Sequence, residues 1–263
     1  MKLDFIVAGA QKSGTTALHY FLKKHPQIAL PDRQELHFFD DEEIFSHQPV
    51  DYELLHRHFR KRPVRFLPVR SASRTDSSRG EPGLAGEVTP SYLYWEPALE
   101  RIWNYNPEIK LLILLRNPID RAFAHWNMQR FKNREPLGFL GALKEEPRRT
   151  AQPLTIESRR FAYVDRGFYS GQLERVFKFF PRKQVEIVKF ENFRDRKQET
   201  LGEIFEFLGV KPLRRVRDKD RNVVPYERAM RKEEREYLSG VFAAEIPKLE
   251  QVLGWDLADW KTL

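Results

Sequence analysis

The stretch FIVAGAQKSGTTALHYFL, residues 5–22, constrains this chain more than any other. A short apolar run feeds a glycine-bounded loop, Gly9 to Gly14, and then residues with the apolar spacing of an amphipathic helix. Glycine lets the backbone bend tightly there, and the N–H groups of such a loop and of the following helix N-terminus converge on a space complementary to phosphate or sulfate oxygens. A nucleotide triphosphatase needs G-x-x-x-x-G-K followed by Ser or Thr, the hydroxyl serving magnesium. Here Lys12 precedes Gly14, and Thr15 stands where that lysine belongs. The most apolar run, Ile109 to Leu115, ends in Arg116 where a triphosphatase would carry an acid for the metal. A cation at that place suits a site in which side chains, with no metal, neutralise a phosphorylated ligand.

Around this unit, strand patterns at Leu3 to Ala8, Gln27 to Leu30, Leu84 to Val88, Ile109 to Leu115 and Val185 to Phe190 alternate with helical ones. The helical patterns cover Thr15 to Lys24, Pro118 to Phe131, Gly171 to Phe180, Lys197 to Leu208 and a charged stretch over Glu227 to Leu253. The order predicts an α/β, P-loop-like three-layer fold with a central parallel sheet flanked by helices. The 263 residues suit a single domain over 1–263. Two stretches lack periodicity: a loop rich in Arg, Ser and Pro over 62–82, expected to be mobile, and a basic loop over 211–225.

Composition narrows the classes further. With no Cys, disulfide scaffolds, thiol nucleophiles and iron–sulfur sites are excluded, and a reducing cytoplasm is the simplest expected location. No segment has the uncharged length needed to span a bilayer, and the first residues lack a secretory pattern. A formal charge of +8 favours anionic partners. It is scattered along the chain, and no nucleic-acid recognition motif accompanies it, so nucleic acid is not expected as a partner.

Taken together, AQKSGTTAL and LLRNPIDRAFAHW resemble the 5′-phosphosulfate loop and the 3′-phosphate segment of sulfotransferases that use 3′-phosphoadenosine 5′-phosphosulfate (PAPS). ELHFFD and GEVTPSYL resemble the branch containing the heparan sulfate sulfotransferases and their bacterial relatives, and the stretch from Arg166 to Phe193 with FEFLGV continues the match. The resemblance implies a sulfuryl transfer from PAPS to an acceptor hydroxyl by in-line displacement, leaving adenosine 3′,5′-diphosphate. Lys12 would stabilise the leaving phosphate, with Ser13, Gly14, Thr15 and Thr16 around it, and Arg116 would bind the 3′-phosphate. Glu35 would be the base, with His37 and Asp40 lining the acceptor side.

Two positions depart from that pattern. Ala124 replaces a serine that bonds the 3′-phosphate, so Arg121, His125 or the basic loop from Arg214 to Arg221 would have to compensate. Val88 replaces a lysine of the heparan-type enzymes, which argues against a polyanionic polysaccharide and for a small-molecule, glycolipid or carrier-bound acceptor.

Chemistry alone leaves the base open. A positioned base contributes about 10²–10⁴-fold, and either Glu35 or His37 could serve. In an extended segment the two would share a face, and Phe38 and Phe39 would wall the carboxylate from water. Tyr92, Tyr94, Trp95 and Trp126 are expected mainly in the core, with one or two stacking on adenine or acceptor. The alternative function is an atypical P-loop nucleotide kinase or triphosphatase.

Overall fold

The computed structural model describes residues 2–59, 83–151, 155–215 and 225–261. The expected loop over 62–82 lies outside the described residues, as do 216–224 of the basic loop, Arg217, Lys219 and Arg221 included. Apart from short 3-10 turns, the elements are β1 (Phe5–Gly9), α1 (Thr15–Lys24), β2 (Ile28–Ala29), α2 (Glu42–Phe45), α3 (Glu53–His56), β3 (Leu84–Val88), α4 (Glu96–Tyr105), β4 (Lys110–Leu115), α5 (Pro118–Phe131), α6 (Phe139–Arg149), α7 (Ile156–Arg159), α8 (Tyr169–Phe179), β5 (Val185–Lys189), α9 (Phe190–Asp195), α10 (Lys197–Leu208), α11 (Lys232–Phe242), α12 (Glu245–Leu253) and α13 (Ala258–Lys261).

All the strands run parallel, in the order β2-β3-β1-β4-β5. Period-two alternation divides their side chains between two cores. Ile6, Ala8, Leu111, Ile113 and Leu115 face a layer carrying Leu99 and Ile102 of α4, Ile119 and Phe123 of α5, and Leu173 of α8. Phe5, Val7, Leu112 and Leu114 face Leu18 and Leu22 of α1 and Ile204 and Phe205 of α10. These are the three expected layers. Gly86 is required by the packing: a Cβ there would sit 2.3 Å from the Phe5 ring.

Helix starts and stops follow local chemistry. Asn117 caps α5 by accepting from the Ile119 N–H, and Pro118 occupies a first-turn position where its missing donor costs nothing. The stretch over Glu227 to Leu253, expected as one helical region, is two helices separated at Ala243–Ala244, with no helix before Lys232. Pro247 lies in the first turn of the new helix, where its missing donor costs nothing, and marks the restart at Glu245. Helices α4 and α6 were not anticipated, although Ala98, Leu99, Ile102 and Tyr105 recur at helical spacing and are buried.

Candidate functional site

The strand order turns between β1 and β4: the chain leaves β1 towards β2 on one side, while β4 and β5 lie on the other. In parallel sheets, ligands sit beyond the carboxyl ends of the strands at such a switch point. The loop after β1 and Arg116 after β4 both lie there. Gly14 has φ 89°, and a Cβ on it would meet the Phe190 ring at 2.9 Å, so only glycine fits this turn. Ser13 and Thr15 are buried and Thr16 is half-buried. The first N–H groups of α1 have no intrahelical partner.

Arg116 donates from Nη1 to the Lys12 carbonyl at 3.3 Å, and its guanidinium lies 5.0 Å from the centre of the Phe190 ring. Tyr169 fixes the turn behind it by donating to the Arg116 carbonyl at 3.0 Å. The loop lysine and the strand-end arginine read from sequence therefore lie close together beyond the strand ends. Burial, and then the positive charges of Arg116, Lys132 and Arg121, lower the Lys12 ammonium to about 8 against the opposing pull of Glu35. Cations forced together this way are poised for an anion.

Arg121 and His125 are placed differently from expectation. Both are fully buried on α5. Arg121 donates from Nη2 to the Tyr163 carbonyl, and its Nε and Nη1 have no partner among the described residues. Burial, followed by the charges of Arg121 and Arg166, pushes His125 far below the usual imidazole range, so it adds no cation in place of the missing serine hydroxyl. Ala124 is itself closed into α5's packing. Arg214 and Arg215 are exposed.

On the other side of Lys12, residues 35–37 are not strand-like. Glu35 has φ 57° and His37 φ 56°, and with Lys12 at 70° they make three of the four described non-glycine residues in the left-handed region. Such conformations cost free energy and persist where the surroundings over-determine them. The surroundings here come from the GEVTPSYL segment. Glu35 N–H donates to the Val88 carbonyl at 3.2 Å, His37 N–H to Thr89 Oγ1 at 3.5 Å, and Phe38 N–H to the Tyr92 hydroxyl at 3.0 Å. Thr89 in turn donates to the fully buried Glu87 carboxyl at 2.8 Å. Burial raises that carboxyl to about 7.

The side chains of Glu35 and His37 nevertheless meet. His37 Nε2 lies 3.6 Å from Glu35 Oε2, and its Nδ1 lies 3.1 Å from Asp40 Oδ2. Hydrogen bonds to Asp40 and then Glu35 raise the imidazole to about 9. Asp40, which burial alone would push up, is held below the ordinary carboxylate range by His37, Ser91 and Arg159. Phe38 and Phe39 do not wall the Glu35 carboxylate, because both turn into the core against Phe45, Tyr52 and Tyr92.

The sequence model of the sulfotransferase family matches residues 4–214, most of the chain. The chain belongs to the sulfotransferase family. Among solved structures, a sulfotransferase from Alicyclobacillus acidocaldarius is 27% identical, with a TM-score of 0.78 and full coverage of both chains. Human bifunctional heparan sulfate N-deacetylase/N-sulfotransferase 2 is 28% identical over 79% of this chain and 22% of its own length. Mouse heparan sulfate glucosamine 3-O-sulfotransferase 5 is 27% identical over 79% of this chain and 53% of its own length. The chain thus spans about a fifth of the former relative and about half of the latter. The membrane-associated sulfotransferase kil1 of Dictyostelium discoideum is 24% identical over 96% of this chain and 65% of its own length. Among the described residues no helix is long and apolar enough to cross a membrane. Family membership disfavours the kinase or triphosphatase reading.

Several residues of the chain find unexpected places. Trp126 and Tyr92 are core, as expected, but Trp95 and Tyr94 cover the guanidiniums of Arg159 and Arg166 at 4.0 and 4.4 Å. Val88 is buried within the cluster around Leu18. A cavity of 660 Å³ lies between Asn127–Phe131 and Pro225–Glu227 and contains no residue of the cradle or of the Glu35 segment. The sequence offered no signal for Lys132 or Arg159, which act on Lys12 and Asp40 from distant parts of the chain.

Proposed function

We propose that this sulfotransferase transfers the sulfuryl group of PAPS to an acceptor hydroxyl. The observation that supports the reading is the contact between Arg116 and the Lys12 carbonyl, which brings the strand-end arginine beside the loop at the switch point of the sheet. PAPS supplies an activated sulfuryl group on a good phosphate leaving group. The residues present fit such a polyanion: the fully buried Arg121 guanidinium keeps two nitrogens without a partner among the described residues beside this concentration of positive charge.

In this reading Lys12, with Ser13, Gly14, Thr15, Thr16 and the α1 N-terminus, holds the phosphosulfate, and Arg116 holds the 3′-phosphate. Arg121 contributes charge from beneath, and Arg221 belongs to the same proposed donor set. Lys12 addresses the oxygen on which negative charge grows as the sulfur–oxygen bond breaks. Glu35 takes the proton of the acceptor hydroxyl as that oxygen attacks in line. His37 is charged at neutral pH and has no lone pair to accept the proton, so it orients Glu35 and the acceptor. The acceptor is a small-molecule, glycolipid or carrier-bound alcohol. Because Val88 is closed into the core, its replacement of lysine bears on this choice only by leaving a charge out of the cleft.

The test is incubation of the purified protein with ³⁵S-labelled PAPS and panels of alcohols and amines. Label in an alcohol, abolished in Glu35→Gln, supports the reading. Transfer to amines alone would overturn the hydroxyl assignment, and no transfer to any member with PAPS left intact would overturn the donor.

A further inference from the structure

Glu35 and His37 both occupy strained backbone on an irregular segment, so their side-chain directions must be set from outside it. The contacts form a line of alternating charge. Glu35 Oε2 meets His37 Nε2 at 3.6 Å, His37 Nδ1 meets Asp40 Oδ2 at 3.1 Å, and Asp40 Oδ2 meets Arg159 Nη1 at 3.3 Å. Its outer end is half-exposed and its inner end is closed: the side chains of Asp40 and Arg159 are 2% and 5% exposed.

Arg159 grips this segment twice, donating from Nη2 to the Asp40 backbone carbonyl at 3.2 Å as well as to its carboxylate. The guanidinium lies 4.0 Å from the centre of the Trp95 ring, and the Trp95 indole is pinned by its own bond to Glu42 Oε1 at 2.8 Å. Arg166 holds the Arg159 carbonyl through two nitrogens at 3.4 and 3.3 Å, which fixes the end of α7. Ser91 completes the Asp40 carboxylate by donating at 2.6 Å.

A buried ion pair of this kind is weak evidence for stability, since desolvation offsets most of the attraction. Its distinct effect is to fix direction. The two N–H groups of one planar fork reach two acceptors on the same residue, a geometry that a lysine cannot copy.

We propose that Arg159 is a positioning residue for catalysis: through Asp40 it holds the His37 ring in the orientation that presents the Glu35 carboxylate to the acceptor. This rests on Glu35 being the base. Arg159 itself touches neither donor nor acceptor, and its effect passes through His37.

The test compares Arg159→Met and Arg159→Lys in the wild-type and His37→Asn backgrounds, using whichever acceptor the labelled screen identifies. In the wild-type background Arg159→Met should lower kcat by about 10- to 100-fold, as expected for misplaced reacting groups. The acceptor KM, and the Kd for adenosine 3′,5′-diphosphate measured by calorimetry, should change less than about twofold. Arg159→Lys, which keeps charge and most of the bulk and guards against a folding failure, should lose most of the same factor. In His37→Asn, neither substitution should cost more than about twofold further, because groups acting as one unit are not additive. An equal loss in both backgrounds, or a loss confined to donor affinity, would overturn the proposal.

A second readout needs no acceptor. The His37 Nδ1–H, bonded to Asp40, should give a slowly exchanging downfield proton resonance that disappears in Asp40→Asn and Arg159→Met and survives in Lys12→Ala. Its persistence in Arg159→Met would refute the relay even if sulfation is confirmed. Its expected behaviour in an enzyme that sulfates nothing would leave the relay standing and sink the functional reading instead.

Discussion

On the proposed donor side, Lys12 and Arg116 follow the ends of β1 and β4, which are hydrogen-bonded neighbours in the sheet. On the proposed acceptor side, Glu35 and His37 belong to irregular chain held by the Val88 carbonyl at the end of β3 and by side chains of the turn after it and of α7. The donor cradle is a consequence of topology. Once the strands pair, the loop and the arginine have little choice of place. The acceptor segment is a consequence of tertiary side-chain contacts, each of which can be removed singly without touching the sheet. The two regions should therefore fail in different ways.

The largest expected effect separates them at once. Glu35→Gln should reduce kcat by about 10²–10⁴-fold while calorimetry shows binding of adenosine 3′,5′-diphosphate changed far less than in Lys12→Ala, since Glu35 reaches Lys12 only through its charge. Next, Lys12→Ala should cost about 10²–10³-fold in kcat. It should also weaken donor binding, with circular dichroism and thermal melting unaltered. If Glu35→Gln weakened donor binding as much as Lys12→Ala does, the two regions would not be separable.

Proton linkage gives a smaller and graded effect. Burial and neighbouring cations depress the Lys12 ammonium to about 8, and a bound polyanion favours its charged form. Affinity for adenosine 3′,5′-diphosphate should be flat below that pH. Above it, Kd should rise by up to about tenfold per unit, with uptake of one proton, measurable by titration in buffers of different ionisation enthalpy.

Tyr92→Phe probes the acceptor scaffold, because the Tyr92 hydroxyl accepts from the Phe38 and Phe39 N–H groups. Leaving these buried donors unpaired should cost about 1–3 kcal/mol in urea unfolding, with donor affinity preserved. The smallest effect is the pH dependence of the His37–Asp40 pair. The imidazole is raised to about 9 in the folded protein, so its contribution to stability is complete below its unfolded value of about 6.5 and disappears as pH rises through about 9. Asp40→Asn should accordingly lower Tm more at pH 6 than at pH 9.5.

The same contrast explains what could be read from the sequence. The three layers, the parallel sheet and the bounds of α1, β3, α5 and α10 follow from apolar periodicity, Asn117–Pro118 and the glycine at 209, all of them local signals. The neighbouring places of Lys12 and Arg116 are legible because they depend on strand ends. The left-handed backbone at Glu35 and His37 is not legible in the sequence, because such strain leaves no compositional mark on Glu or His. Arg159 was invisible for another reason: it lies 119 residues from Asp40, and nothing in a four-residue helix announces a partner that far along the chain. The full burial of Arg121 against Tyr163 and Tyr169 is not legible in the sequence, because it depends on how α5 and α8 pack.

The central claim is that one cleft, with Lys12 and Arg116 on its walls, binds a nucleotide phosphorylated at both ends. Calorimetric titration with adenosine 3′,5′-diphosphate, set beside adenosine 5′-monophosphate and the Arg116→Ala variant, tests it directly. The account predicts saturable binding of the bisphosphate, weaker by roughly 10- to 150-fold both for the monophosphate and in Arg116→Ala, as expected for losing charge-assisted hydrogen bonds. Equal affinity for the two nucleotides, or bisphosphate binding indifferent to Arg116, would contradict it.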